Sequence, residues 1–394
     1  MDKVRIGIIG LGNMGTGHAV QILTGKVPRC ELTAVCDINP DRLTNYKDAK
    51  HFEKSEDLIR SGLVDAVLIA TPHYAHTTIG IDALSNNLHT IVEKPISVTK
   101  FDALQLIDAY KKAKRKNKNL KFCAMFNQRT DPYFNKMHEL VKNGTIGRIQ
   151  RSNWIITNWY RTEAYYRSGS WRATWGGEGG GVLVNQCPHN IDLYQWICGM
   201  PSAVYALGGL GKYHDIEVED ECCALFEYAD GATGAFFTTT GEAPGTNRFE
   251  IAGDKGKLVF EVNLDGSRKL DFVMNPIGAR EFSQKATSGF QSPESWNVHI
   301  PLPPGAGEQH IGIKKNFVAA ILDGAELIAP AEEGIKAVEI ANAMQYSLMT
   351  HQRVALPMDH VGYQKYLQKL IKNSKTVKKV DKNAGVADLG GSVK

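Results

Sequence analysis

Ile6-Gly7-Ile8-Ile9-Gly10-Leu11-Gly12-Asn13-Met14-Gly15 closes a β-branched run and opens a helix-forming one, Thr16–Leu23. In that setting each glycine of GxGxxG has a physical task. Gly10 makes the tight turn, Gly12 lets backbone approach a pyrophosphate, and Gly15 lets the helix pack on the strand. Phosphates would lie on the free amides of the helix start, where Asn13 and Met14 stand. About 22 residues past Gly15 the next strand ends in Val35-Cys36-Asp37, the place of an acidic ribose ligand. A carboxylate there bonds the ribose hydroxyls and repels a 2′-phosphate. Ile38-Asn39 follow with no immediate arginine, so the expected cofactor is NAD rather than NADP.

Outward from this unit, short apolar runs at Arg5–Ile9, Glu31–Asp37, Ala66–Thr71, Thr90–Glu93 and Lys121–Phe126 alternate with amphipathic segments such as Thr77–Asn86 and Phe101–Ala113. Alternation of this kind predicts a parallel sheet with helices on both faces, an α/β Rossmann domain. From about residue 147 strand-like runs follow one another directly: Ile149–Trp159, Ala203–Leu210, Glu219–Tyr228, Ala232–Thr240, Arg248–Ala252 and Lys257–Val262. Ala229-Asp230-Gly231 and Gly253-Asp254-Lys255-Gly256 are hairpin signals between them. They predict an α+β domain with a large, mostly antiparallel sheet. Helices are expected at Gly181–Cys198, Gly312–Asp323 and Glu332–Thr350, and loops over Ser267–Gly307. The expected division is 1–127, 128–357, and a C-terminal helix and polar tail over 358–394, with the tail at Lys375–Lys394.

A chain of 394 residues exceeds one compact core, which agrees with two domains. The net charge of +4 is too small to point to nucleic acid or membrane. The basic cluster Lys111–Lys121 falls where the helix from Phe101 should end, and cations there suit its dipole. No apolar run approaches the ~20 residues of a membrane span. The first strand begins at Val4, so no leader is expected, and seven cysteines without CxxC spacing suggest reduced thiols in the cytoplasm. Adjacent Cys222 and Cys223 should face opposite sides of a strand. No metal site is expected.

Thr90-Ile91-Val92-Glu93-Lys94-Pro95-Ile96 follows Ile69-Ala70-Thr71-Pro72-His73-Tyr74-Ala75-His76. Further on stand Asn127-Gln128-Arg129, Gly144-Thr145-Ile146-Gly147, Trp171-Arg172, Gly179-Gly180-Gly181 and Asn185-Gln186-Cys187-Pro188-His189-Asn190-Ile191-Asp192. Together they resemble the Gfo/Idh/MocA family, relatives of glucose–fructose oxidoreductase and inositol dehydrogenase. The resemblance implies a Rossmann domain and an open-faced sheet whose helix Gly181–Cys198 lines the nicotinamide. It implies that Thr71, Pro72 and His76 lie along the dinucleotide, that Glu93 and Lys94 sit at its reactive end, and that Trp171 and Arg172 close over it. Sheets packed face to face into homodimers, often paired as homotetramers, are implied as well.

Hydride transfer from a carbinol needs a base for the hydroxyl proton and a donor for the developing alkoxide. Lys94 at the end of a parallel strand, and His189 on the second-domain helix, are the expected catalytic pair. Asp192, three residues on, shares the histidine's helix face. Many members of the family carry aspartate where this chain has Asn185, which can position a hydroxyl but cannot accept a proton. Asn185 and Asp192 are therefore expected to bind substrate. So are Tyr160, Arg161 and Tyr166, from a segment whose aromatic, guanidinium and amide groups suit a sugar's apolar faces and hydroxyls. His73, Cys187 and Glu178 receive no role. The expected activity is NAD-dependent oxidation or reduction of a CH–OH group on a sugar, glycoside or cyclic polyol. A redox glycosidase that regenerates NAD is the alternative, and a non-catalytic NAD-responsive regulator a second; retained Lys94 and His189 argue against the regulator.

Overall fold

The computed structural model describes residues 2–374. The polar tail assigned to Lys375–Lys394 lies outside the described residues. Six strands, β1 (Val4–Ile9), β2 (Cys30–Cys36), β3 (Lys50–Phe52), β4 (Ala66–Ile69), β5 (His89–Val92) and β6 (Phe122–Ala124), form a sheet of order β3-β2-β1-β4-β5-β6. All pairings are parallel. β4 is buried along its whole length, as a strand covered on both faces must be. Four helices make the crossovers: α1 (Asn13–Leu23), α2 (Ser55–Ile59), α3 (His73–Ser85) and α4 (Lys100–Lys116). Thr99 caps α4 by accepting from the Asp102 amide, and Lys114, Arg115 and Lys116 occupy its last turn. The basic cluster is thus a helix C-terminus.

The second sheet holds β7 (Ile149–Ile156), β8 (Ala203–Leu210), β9 (Glu219–Glu227), β10 (Thr233–Thr239), β11 (Asn247–Gly253), β12 (Gly256–Val262), β13 (Arg268–Met274), β14 (Trp296–Val298) and β15 (Val354–Ala355). Its order is β14-β13-β12-β11-β7-β10-β9-β8-β15. Only the β7–β10 pair is parallel. Both hairpins stand where the turn residues put them. Helices α5 (Pro132–Lys142), α6 (Glu163–Arg167) and α7 (Pro188–Cys198) follow the first domain, then α8 (Ala279–Lys285), α9 (Gln309–Leu322), α10 (Gly334–Thr350) and α11 (His360–Asn373). The core under the inner face is aromatic: Trp154 stacks on Phe249 at 4.4 Å, and Tyr194 and Phe236 pack beside them. Cys222 is buried and Cys223 half-buried, as neighbours on one strand should be.

Two expectations are corrected. Ser267–Gly307 contains β13, α8 and β14 rather than loops alone; the charged Arg-Lys-Leu-Asp start of β13 concealed a strand that pairs fully with β12. The helix expected over Gly181–Cys198 begins only at Pro188. Gly179 and Gly180 have φ of 82° and 155°, and a Cβ on Gly181 would lie 1.9 Å from the Glu219 carbonyl oxygen. Residues 181–187 are therefore a tight turn lodged against β9, and Asn185 precedes the helix.

The late helices return to the first sheet. Arg29 pairs with Asp323 at 2.8 Å, Lys100 with Glu339 at 2.5 Å, and the Lys100 amide donates to Asn342 Oδ1. The boundary drawn at 127/128 therefore separates the sheets but not the packing. Just past it, Arg129 is 1% exposed and donates through Nε and a terminal nitrogen to both carboxylate oxygens of Asp192, at 2.8 and 2.7 Å. Its remaining nitrogen reaches Glu333 at 2.5 Å. Asp192 is thus turned away from any substrate: its carboxylate neutralises a buried guanidinium. Truncating one member of such a pair strands the other's charge, at a cost of about 3–5 kcal/mol. Asp192→Ala should lower the thermal midpoint by several degrees while leaving the substrate KM near its wild-type value; an unchanged melt with raised KM would return Asp192 to the substrate site.

Candidate active site

Strand order reverses beside β1, between β2 and β4, and ligands bind such sheets at the carboxyl ends of the strands at that point. Gly10, with φ of 93°, crosses there; a Cβ on it would come 2.7 Å from the Ala70 carbonyl oxygen. A Cβ on Gly15 would meet the Gly10 carbonyl oxygen at 1.8 Å, so α1 can seat on its turn only with glycine there. Gly12 instead faces open space, with nothing within 4 Å of its Cβ position. That open cradle, over the first amides of α1 at Asn13 and Met14, fits a pyrophosphate.

Asp37 is 5% exposed, and its carboxylate accepts from the Leu11 and Asn39 amides at 2.7 and 2.9 Å. It ties the ribose position to the glycine turn. The sequence shows no immediate arginine, yet the helical turn Pro40–Arg42 brings the half-exposed Arg42 back to 3.4 Å from the same carboxylate.

At the end of β4, the Thr71 hydroxyl oxygen is buried without a hydrogen-bond partner among the described residues. Pro72 caps α3. His76 is placed differently from its expected role. It is wholly buried, and its ring nitrogens lie 2.8 Å from the Pro95 and Thr71 carbonyl oxygens. It braces the turns at Thr71 and Pro95 through those two carbonyls. Its neighbour His73 reaches across to the Glu178 carbonyl oxygen at 3.2 Å and meets Trp171 edge to face.

Glu93 is also spent internally. One carboxylate oxygen lies 2.7 Å from His18 Nε2, and the other accepts from the Lys94 amide. Burial works against the Glu93 carboxylate, but the hydrogen bond from His18 and the nearby positive charge of Lys94 hold it well below the usual range. Burial lowers His18 from the usual histidine value against the pull of Glu93. Lys314 Nζ, a donor only, lies 3.2 Å from Nδ1, so Nδ1 accepts and Nε2–H donates to Glu93. Lys314, from α9, is 2% exposed; burial brings its ammonium down to about 8. His18 and Lys314 were not foreseen, and no local signal could join residues 296 positions apart.

Lys94 Nζ donates to the Asn185 carbonyl oxygen at 2.7 Å, across the two sheets. Burial lowers the Lys94 ammonium from its usual value, Arg172 adds to this, and Glu93 and Glu178 oppose it. Burial pushes His189 well below the usual histidine range, with Lys94 and His310 adding to the effect. Its imidazole is neutral, packs edge-on to Phe126, and has Nδ1 buried without a partner among the described residues. Orphaned buried polar atoms at Thr71 and His189, together with the open phosphate cradle, fit a dinucleotide.

The Asn185 side-chain amide donates to Glu178, and its oxygen lies 3.5 Å from the Tyr165 hydroxyl. Tyr165 in turn receives Arg172 at 2.9 Å and Gln186 at 3.2 Å. Arg172 lies over the Trp171 and Tyr165 rings at 4.6 and 4.5 Å. Of the aromatic segment, Tyr160 is half exposed, and Arg161 stacks on Trp159 and Tyr165. Tyr166 is 3% exposed, bonded to Thr240 at 2.7 Å and packed on His214; it fills the loop's interior instead of meeting substrate. Tyr165, one residue earlier, faces the site. A five-residue helix fixed that choice, and an aromatic pair carries no sign of which member turns inward. Among the described residues no three metal-ligating side chains gather, and no helix is long and apolar enough to cross a membrane.

Comparison with known proteins agrees with this geometry. Residues 4–119 match an oxidoreductase family described as an NAD-binding Rossmann fold, and residues 134–259 match the GFO/IDH/MocA C-terminal domain. The chain is 27% identical to levoglucosan dehydrogenase of Pseudarthrobacter phenanthrenivorans, over 91% of this chain and 99% of that protein. It is 29% identical to myo-inositol 2-dehydrogenase of Thermotoga maritima, over 65% and 74%. The fold is that of WlbA dehydrogenase from Bordetella pertussis, solved with NADH and UDP-GlcNAcA: TM-score 0.74, 23% identity, 91% of this chain and all of that one. Levoglucosan dehydrogenase solved with NADH and levoglucosan superposes with a TM-score of 0.72 at 23% identity, over 90% and 100%.

NAD is the cofactor, and Asp37 with Arg42 sets up a test of how it is chosen. Asp37→Ser should weaken NAD at least about tenfold and strengthen NADP, because removing the carboxylate frees Arg42 for a 2′-phosphate. Adding Arg42→Ala should abolish the gain. Fluorescence titration of both dinucleotides measures this; wild-type protein binding NADP as tightly as NAD would overturn it.

Proposed function

This chain belongs to the Gfo/Idh/MocA family of NAD-binding oxidoreductases, and from that membership we propose that it interconverts a secondary alcohol and a ketone on a sugar, glycoside or cyclic polyol. The names of its relatives, levoglucosan dehydrogenase and myo-inositol 2-dehydrogenase, support the substrate class. The observation that carries the reading is Lys94, its ammonium disfavoured by burial, acting on His189 of α7, whose Nδ1 is buried without a partner among the described residues.

Bound NAD supplies the hydride acceptor. The chain's own task is the carbinol proton. Neutral Lys94 takes it from the hydroxyl, and His189 holds the same oxygen through a ring N–H as charge develops there. Asn185 offers a further hydroxyl its amide oxygen, and Tyr160 and Arg161 line the approach. Trp171 and Arg172 close over the nicotinamide, excluding water.

A panel of sugars, glycosides and inositols, followed by NADH absorbance, tests the reading; failure of every member to reduce NAD would sink it. A chromogenic glycoside cleaved without net NADH would instead mark a redox glycosidase. With a substrate in hand, Lys94→Ala and His189→Ala should each lower kcat by at least ~10²-fold with NAD affinity kept. Oxidation depends on the deprotonated amine, so kcat/KM should rise with pH through an inflexion below the ordinary lysine value of 10.5 and lose that limb in Lys94→Ala.

The outer face of the second sheet supports self-association. Register aligns Ile155, Phe237, Cys223 and Leu207 in one row, and Ala235, Leu225 and Tyr205 in the next. Leu225 is 55% and Leu207 48% exposed, an apolar patch that a second copy would cover. The expected assembly is a homodimer or homotetramer. Light scattering should give at least twice the chain mass, and Leu225→Arg with Leu207→Arg should reduce it to the monomer; a wild-type monomer at micromolar concentration would refute the interface.

A further inference from the structure

Glu178 stands between the Trp171-Arg172 pair and the glycine run, and is 2% exposed. One carboxylate oxygen accepts from the Ala173 amide at 2.6 Å, directly after that pair. The other accepts from the Asn185 side-chain amide. Its carbonyl oxygen meets His73 on α3, and its amide donates to the Thr174 carbonyl. A charged carboxylate only accepts hydrogen bonds, so it dictates which end of the Asn185 amide faces it. Nδ2 must point to Glu178, and Oδ1 is turned to Tyr165 and the substrate side. The bonds then run in one direction. Arg172 and Gln186 donate to the Tyr165 hydroxyl, Tyr165 donates to Asn185, and Asn185 donates to Glu178. The carbonyl of this same Asn185 holds Lys94 Nζ.

Position 185 is an amide with no charge of its own. We propose that Glu178 is the positioning residue for proton handling: from the closing loop it supplies the carboxylate that orients Asn185 and holds Lys94. This rests on the dehydrogenase reading above. It also ties the backbone beside Trp171-Arg172 and the base to one carboxylate.

The charged and titratable groups acting on Lys94 are Glu93 on its own strand end, Glu178 and Arg172 in the closing loop, and Cys187 and His189 at the α7 entrance. His73 and His76 on α3 and His310 on α9 complete the set. Of these, Glu178 is the carboxylate that a substitution can neutralise without touching the Glu93–His18 pair.

The experiment follows Lys94 in the cofactor-free protein by competitive acetylation against pH, read by mass spectrometry, together with kinetics. Glu178→Gln should move the Lys94 midpoint down by about 1 pH unit, because a nearby negative charge is lost. It should move the rising limb of the pH profile down by the same amount and, at pH values above that limb, lower kcat at least tenfold, while NAD affinity stays within about twofold. The double variant Glu178→Gln/Asn185→Asp exchanges acid and amide, and should restore both the midpoint and most of kcat. Unchanged midpoint and kcat in a folded Glu178→Gln protein would overturn the proposal. Should that variant unfold, a folded double variant with a midpoint as low as Lys94 would have without any carboxylate at 178 or 185, matched in Glu178→Gln/Asn185→Ala, would overturn it equally. A shifted midpoint in a protein that reduces NAD with no sugar supports the hold of Glu178 on Lys94 and overturns the dehydrogenase reading instead.

Discussion

The bond from Lys94 Nζ to the Asn185 carbonyl, 2.7 Å long, is the constraint around which the site is arranged. It joins the carboxyl end of β5 to the turn that feeds α7, so the dinucleotide edge of one sheet and the histidine helix of the other are registered at one atom pair. An ammonium withdrawn from water needs acceptors, and here a backbone carbonyl provides one. A carbonyl cannot take up a proton, so the lysine keeps a partner while remaining free to exchange its own. Gly181 keeps the incoming chain flush with the Glu219 carbonyl of β9, while Gly179 and Gly180 leave room for Val98 and Gln345.

Around this contact buried charge is compensated in short chains. Glu93, neutral His18 and Lys314 form one; Arg129, Asp192 and Glu333 another; Lys100 and Glu339 a third. Each draws on α7, α9, α10 or the turn before α10 for at least one member. Desolvating any single member alone would cost several kcal/mol, so these groups are tolerated only as sets. Within the first set, the Glu93 carboxylate beside Lys94 opposes the effect of burial on the Lys94 ammonium.

The GxGxxG turn and Asp37 could be placed from sequence because each follows local grammar, a strand, a turn and a helix start, whereas Lys94 and His189 were singled out chiefly through the family resemblance. Asn185 was legible as a residue but not as a place, since a helix expected from Gly181 starts at Pro188 and changes where its side chain points. Asp192, His76 and Tyr166 show the limit. Each stands in a motif or beside a true site residue, yet each is turned into the protein by a partner far away in sequence: Arg129, the Pro95 carbonyl, Thr240. Polar residues next to a site are needed to build its walls as often as to face its centre, and only tertiary partners separate the two. Lys314 and Glu178 were silent for the same reason. Their meaning lies in what is brought to them.

The return of α9 and α10 onto the first sheet bears on how the chain comes off the ribosome. A dinucleotide domain built from the first third of a protein could normally close as soon as it emerges. Here the Ala124 amide of β6 donates a hydrogen bond to the Ala329 carbonyl oxygen, and His18 waits for Lys314. At about 5–20 residues per second, the chain from Glu93 to Lys314, or from Ala124 to Ala329, takes on the order of 10–45 s to make. For that time the buried Glu93 end of β5 has no lysine behind its histidine, and the last strand of the sheet has an open edge. Synthesis must therefore pass through a long-lived, half-covered nucleotide fold, the stage at which holding chaperones would find the most exposed surface.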